Sequence, residues 1–189
     1  MSRHTLIPAV VVMQFLTLSN VRAAIVMDAV EVNGDVLIMG GGSVDTVDGL
    51  VAQGTQQIDN GVNPSFAFVG FGGTIQGYEG LVGPSNFGSG LNRDATFSSA
   101  PNGPFTIGAA GVGLGVPTNY LLGEPLSGTL TFENATITSL GMDPGTYVWT
   151  WGSGASVDSF TLNVVPEPHA AFTWWVGLLI ATLSWRRSP

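Results

Sequence analysis

The amino-acid sequence predicts an all-β protein with a single β-sandwich or jelly-roll-like domain over residues 24–164. No sustained 3.6-residue hydrophobic period occurs in this span, which argues against long helices. Glycine or proline interrupts the chain roughly every ten residues, as turns between short strands do. A hydrophobic share of 44% is enough to form a core. Many short strands separated by turns are typical of two packed antiparallel sheets.

The first predicted element is a β-hairpin. Ile25–Val32 and Asp35–Met39 are strand-like runs joined by Asn33-Gly34. Asn-Gly is the preferred pair for a tight type I′ turn, because both positions need a positive φ. Ser65–Phe71 follows as an aromatic and β-branched run of strand type. The stretches predicted to be rich in loops are Gly40–Gly61 and Gly80–Gly103.

Three further runs predict the C-terminal part of the fold. Leu126–Leu140 alternates apolar and polar residues, with a bulge or bend expected at Glu133-Asn134. Asp143-Pro144-Gly145 has the composition of a turn. Tyr147–Trp151 and Val157–Val164 alternate again and are predicted as strands.

The charge distribution excludes some partners. Charged residues make up 10% of the chain, against about 25% in typical soluble domains. Residues 24–165 contain one basic residue, Arg93, against twelve carboxylates, a formal charge of −11. Such a domain repels phosphate backbones, so we expect no nucleic-acid partner. A cation or a neutral glycan is a more compatible ligand.

The residue types also exclude most catalytic chemistry. The chain has no cysteine and no lysine, and its two histidines, His4 and His169, lie near the ends. Nucleophilic triads, Cys–His sites, the usual zinc sites and Schiff-base lysines are therefore excluded from residues 24–165. We expect no enzyme and predict no catalytic residue. A glycoside hydrolase that uses only carboxylates remains an alternative, although no carboxylate pair stands out.

Residues 1–23 have the pattern of a secretory signal peptide. A basic start precedes the apolar run Leu6–Leu18, and Val21 and Ala23 occupy the −3 and −1 positions of a cleavage site before Ala24. The alternatives are an N-terminal strand or a retained anchor helix. The apolar run is short for a membrane span, which favours the signal peptide.

Residues 165–189 have three parts in a fixed order. Val165-Pro166-Glu167-Pro168 comes first, and its two prolines interrupt any continuing strand or helix. An apolar segment at about 170–185 follows and predicts a transmembrane helix, although it is shorter than the ~20 residues of a comfortable span. Arg186 and Arg187 then form a basic end that stays on the cytoplasmic side. An ordinary C-terminal membrane tail is the alternative.

This arrangement resembles the PEP-CTERM sorting signal of bacteria that make exopolysaccharide. The resemblance covers residues 165–187, with His169 and Trp174-Trp175 standing where the family usually has small or aliphatic residues. It implies export, an inner-membrane anchor during sorting and a final place at the cell surface or in the extracellular matrix. It also implies a processing partner, an exosortase-type membrane protease.

A second resemblance lies in the domain itself. Residues 140–154 are similar to a recurrent segment of PEP-CTERM-anchored proteins whose ectodomains have no assigned biochemical role. The resemblance implies β structure and a surface protein with a structural or adhesive role. It implies no reaction.

Calcium is the candidate cofactor. Asp45, Asp48 and Asp59 place carboxylate oxygens on glycine-rich segments, where backbone carbonyls can complete a coordination shell. None of these segments has the EF-hand spacing. The alternative is that these residues only form turns.

Trp149 and Trp151 are the candidate ligand-binding aromatics. They are two residues apart, so both lie on one face of a strand. If exposed, they would stack on sugar rings and make the domain a carbohydrate-binding module for exopolysaccharide, as exposed Tyr or Phe residues would. The other interpretation places both tryptophans in the core, with Val148 and Thr150 facing outward.

Overall fold

A computed structural model describes residues 24–108 and 113–166. These residues form an all-β structure of two sheets, which confirms the predicted class. Their helical elements are two three-residue 3₁₀ turns, Pro64–Phe66 and Gly154–Ser156. The strands of the described residues are β1 Ala24–Val32, β2 Asp35–Gly42, β3 Val51–Ile58, β4 Gly61–Asn63, β5 Phe68–Phe71, β6 Gly73–Glu79, β7 Arg93–Asp94, β8 Phe97–Ser99, β9 Phe105–Gly108, β10 Gly113–Pro117, β11 Leu126–Phe132, β12 Gly145–Trp151 and β13 Asp158–Val165.

The first sheet has six strands in the order β12-β13-β1-β2-β11-β8. β1 and β2 form the predicted hairpin, and its turn residues Asn33 and Gly34 have φ values of 56° and 89°. β1 also pairs with β13 in parallel, from Ala24 opposite Ser159 to Val30 opposite Val165. The first and last described strands are therefore neighbours inside this sheet.

The second sheet has seven strands in the order β3-β6-β10-β9-β5-β4-β7. β3 lies within Gly40–Gly61, a stretch predicted to be rich in loops, and this strand was not among the predicted elements. Its residues are mostly exposed on both faces, and a strand held mainly by backbone pairing to β6 needs no alternation of apolar residues.

Two predicted strands are shorter than expected. Ser65–Phe71 begins inside the 3₁₀ turn that starts at Pro64, and Ala67 adopts a left-handed φ of 51° before β5 begins. Leu126–Leu140 stops being a strand after Phe132, because Asn134 turns the chain with a φ of 52°. The apolar side chains beyond that turn are still buried, which is why the alternation looked continuous.

One hydrophobic cluster joins the two sheets. β11 and β13 each bury alternate residues, as expected for strands with one inward face. Phe71 of β5 stacks on Phe105 of β9 with ring centroids 4.3 Å apart. The ring of Phe71 also lies against Gly128 of β11, where a Cβ atom would clash with the ring. A glycine at position 128 thus lets the second sheet approach the first.

Candidate functional site

The two tryptophans of β12 face the core. Trp149 and Trp151 are only 2% and 3% exposed, while Val148 between them is 42% exposed. Their indole Nε1 atoms donate hydrogen bonds to the carbonyl oxygens of Pro84 at 2.9 Å and Thr46 at 2.6 Å. The core interpretation is confirmed, and sugar stacking on these two rings is not supported because both side chains are almost wholly buried.

The three candidate calcium ligands do not meet at one place. Asp45 and Asp48 line a cavity of about 370 Å³ together with Asp158. Asp59 lines a different cavity, at the end of β3. Within the described ranges, no three or more Asp, Glu, His or Cys residues are grouped closely enough to hold a metal ion. The proposed ligand set therefore does not form a single site.

Asp158 is a buried carboxylate that the sequence reasoning did not single out. It is 2% exposed, and its oxygens accept hydrogen bonds from the backbone N–H groups of Asp45 at 2.9 Å and Ser159 at 2.7 Å, with a further one from Thr46. Burial raises the pKa of this carboxyl, and the amide donors partly oppose that rise. These hydrogen bonds connect the segment between β2 and β3 to Asp158, the first residue of β13. The signal in the sequence is a charged residue at a position that continues the buried alternation of β13.

A second cavity combines exposed aromatic rings with polar side chains. We call it the Phe66 cleft, and its volume is about 410 Å³. Phe66 is 53% exposed and Phe68 is half-buried. The lining residues are Gln57, Ile58, Asp59, Asn63, Phe66, Phe68, Asn92 and Gly108.

Local backbone geometry places both rings at the cleft. Pro64 starts the 3₁₀ turn, and Ala67 ends it in the left-handed region, so Phe66 and Phe68 do not follow simple strand alternation. The ring of Phe68 lies across Gly70, where a side chain would meet it. The sequence reasoning missed this pair because the predicted strand over Ser65–Phe71 hid the turn.

The polar groups of the cleft are held by their neighbours. Asn63 accepts a hydrogen bond through Oδ1 from the hydroxyl of Ser65 at 2.8 Å. Gln57 accepts one through Oε1 from the hydroxyl of Thr74 at 2.9 Å. Amides and carboxylates at a cleft rim match the hydroxyl groups of a polar ligand, and a phenyl face matches an apolar ring face. A few fixed polar groups beside aromatic rings are the usual content of a small-ligand site.

The predicted processing sites lie at the limits of the described chain. Ala24 is the first residue of β1, Val165 is the last residue of β13, and Pro166 follows it. The other residues of those predictions, and the apolar segment at 170–185, lie outside the described residues: Val21, Ala23, Glu167, Pro168, Arg186 and Arg187. Within the described ranges no helix has the length and apolar character to cross a membrane.

Comparison of the chain with protein-family models, with curated proteins and with solved structures found no match.

Proposed function

We propose that the protein is exported, anchored in the membrane by its C-terminal segment during sorting, and displayed at the cell surface or in the extracellular matrix in a structural or adhesive role. The observation that carries this proposal is the order of Pro-Glu-Pro, apolar segment and arginine pair directly behind the domain. Val165 ends β13 and Pro166 follows without a linker, so the proposed sorting signal begins where the fold ends. An exosortase-type protease is the proposed processing partner.

The parallel pairing of β1 with β13 is compatible with processing at both ends. Ala24 lies opposite Ser159, and Val165 lies opposite Val30, six residues further along the pair. The two chain ends therefore leave the sheet at opposite ends, roughly 20 Å apart at about 3.3 Å per residue. A cut before Ala24 and a cut behind Pro166 would both leave every described strand intact.

The finer architecture belongs to the same proposal. Two sheets that share one hydrophobic cluster support a β-sandwich. A jelly-roll-like connectivity, a signal helix before the domain and a transmembrane helix behind it remain our inference from the sequence.

Intact-mass measurement on the protein recovered from membranes and from culture medium tests the export proposal. The expected membrane form starts at Ala24, and the expected released form has also lost the residues behind the Pro-Glu-Pro motif. A Pro166→Ala/Pro168→Ala variant should stay in the membrane fraction with its tail. A reporter fused after residue 165 and found in the cytosol would contradict the proposal.

A second candidate function is the binding of a neutral polysaccharide in the Phe66 cleft. The observation that favours it is a ring that is 53% exposed above a cleft lined by amide side chains. The formal charge of −11 on residues 24–165 disfavours an anionic glycan. Calcium is not needed for this mode of binding.

A glycan array with a matched control tests this candidate. Phe66→Ala should weaken binding to any neutral glycan that is retained by about tenfold or more, which is about 1.4 kcal/mol. Phe97→Ala is the control, because Phe97 is 59% exposed but lies on β8 of the other sheet. Equal losses in both variants, or no retained glycan, would refute binding in this cleft.

We propose that neither role involves catalysis. Asp158, the buried carboxylate beside Asp45 and Asp48, has both oxygens engaged by backbone amides. Release of sugar fragments when the protein is incubated with the exopolysaccharide of its own producer would instead support the alternative of a carboxylate-only hydrolase.

A further inference from the structure

The described residues contain four sheet ends, of which two are very short strands and a third is bridged at one position. β7 has two residues, both charged, and β8 has three residues. β12 is longer, and Val82 bridges its outer edge at one position, Thr150. The backbone N–H of Val82 donates to the carbonyl of Thr150 at 2.9 Å, and the N–H of Thr150 donates back at 2.8 Å.

The fourth sheet end, β3, has none of these protections over most of its length. Among the described strands β3 pairs with β6 alone. Its eight residues, Val-Ala-Gln-Gly-Thr-Gln-Gln-Ile, include no charge and no proline. Natural proteins normally block an exposed edge with such residues, because its free N–H and C=O groups can pair with another strand. A bulge between Ala52 and Gly54 is the one protective feature, and it leaves Gly54–Ile58 regular.

We propose that β3 pairs with β3 of a second copy of this chain, in antiparallel orientation, so that the two seven-stranded sheets join across a two-fold axis. An antiparallel strand is complementary to itself, so both copies contribute the same residues. Two domains of formal charge −11 repel each other, and β3 offers a contact without any charged side chain. With Gln56 at the axis, Thr55 of one copy lies opposite Gln57 of the other.

The side chains that flank this junction are separate from the core. Ile58 is buried, and Gln56 on the same face is half-buried, so this face of β3 looks toward the core. Thr55 and Gln57 are exposed on the opposite face. Charges at these two exposed positions therefore disturb the junction without entering the core, and a charge at Gln57 also replaces its hydrogen bond with Thr74.

The geometry also sets the size and strength of the assembly. An antiparallel pairing about a two-fold axis uses the β3 edge of both copies, so it closes as a dimer. Five residues of strand edge bury far less than the roughly 1,200 Å² of a stable complex, so the dimer is weak and depends on concentration.

Sedimentation velocity of the full chain in mild detergent, over a concentration series from micromolar to millimolar, tests the proposal. The wild type should shift from monomer to dimer as concentration rises. Thr55→Lys/Gln57→Lys and Thr55→Glu/Gln57→Glu should each raise the dimer dissociation constant at least tenfold, because like charges then face each other across the junction. An equimolar mixture of the two variants should restore the dimer.

The control places the same charges on β12, an edge strand of the other sheet. Thr146→Lys/Val148→Lys changes two exposed residues of β12 and should leave the dissociation constant unchanged. Unchanged melting temperatures show that the variants are folded. A wild type that stays monomeric, a lysine variant that dimerises like the wild type, a mixture that fails to dimerise, or an equal loss in the control would each overturn the proposal.

Discussion

β3 and β12 are both long strands at the end of a sheet, yet they differ in the burial of their side chains and in the contacts of their outer edges. β12 turns Trp149 and Trp151 into the core, and Val82 bridges its outer edge at Thr150. β3 buries only Ile58, and no other described strand covers its outer edge. The strand with large buried side chains is thus also the one whose edge is bridged, whereas an edge without either feature is the kind that can pair with another strand.

The largest expected effect concerns the anchoring of β12. Trp149→Ala should lower the free energy of unfolding by about 3–5 kcal/mol, because it leaves a cavity in the core and deletes the hydrogen bond to Pro84. Urea denaturation measures the loss. Val148→Ala, at an exposed position of the same strand, should cost less than about 1 kcal/mol. Similar losses in the two variants would show that β12 is not held by its inward face.

The next effect concerns the segment that leads into β3. Asp158→Asn should destabilise the domain by about 1–3 kcal/mol, because it replaces a carboxyl oxygen that accepts a backbone N–H bond by an N–H₂ group that cannot accept one. Urea denaturation of this variant beside Asp48→Asn, an exposed carboxylate of the same cavity, gives the comparison. A loss as small as that of Asp48→Asn would contradict a structural role for Asp158.

The pH dependence of the same variant has a defined sign. The pKa of Asp158 is raised above its ordinary value of 3.8 by burial, so the folded protein holds this proton more tightly than the unfolded chain does. The stability that Asp158 adds by holding its proton more tightly in the folded state is complete below pH 3.8. It is lost as pH rises through the pKa of the folded protein. The wild-type advantage over Asp158→Asn in melting temperature should therefore shrink as pH rises from about 3 into the neutral range. An advantage that grows with pH would mean that the pKa is lowered instead.

A smaller effect tests the cover over β12. Val82→Pro removes the N–H donor to Thr150 and should cost about 1 kcal/mol, since the Val82 side chain itself is 73% exposed. Hydrogen exchange at the Thr150 amide should become faster by about tenfold, while exchange in β1 and β13 stays the same. Unchanged exchange at Thr150 would show that the bridge adds no protection to this edge.

The sequence was sufficient for elements whose local chemistry decides their structure. Asn33-Gly34 permits one tight turn, and the alternation of β13 buries Phe160, Leu162 and Val164 on one face, so both were predictable. The inward orientation of Trp149 and Trp151 was among the predictions because large rings are usually buried. These signals act within a few residues of chain.

The remaining features depend on residues far apart in the chain. β3 has no apolar alternation and exists because β6 pairs with it some twenty residues later, which no local pattern indicates. The role of Asp158 needs the amide of Asp45, 113 residues away. The Phe66 cleft was hidden because Phe66 and Phe68 have strand spacing, whereas Pro64 and Ala67 bend the backbone there. The stretches predicted to be rich in loops also contain the edge strands β3, β7 and β8.

The smallest effect compares the two strands at one matched residue type. Thr55 of β3 and Thr150 of β12 both point away from the core, but Thr55 is exposed and Thr150 is half-buried with its hydroxyl 3.4 Å from the Val82 carbonyl. Thr55→Ala should change the free energy of unfolding by less than about 0.5 kcal/mol, and Thr150→Ala should cost about 0.5–1 kcal/mol. Denaturation midpoints measured at low protein concentration, where β3 pairing is absent, provide the comparison. Equal costs would mean that the cover over β12 contributes nothing at this position. A dependence of the Thr55→Ala cost on protein concentration would instead show that β3 is paired in the wild type under those conditions.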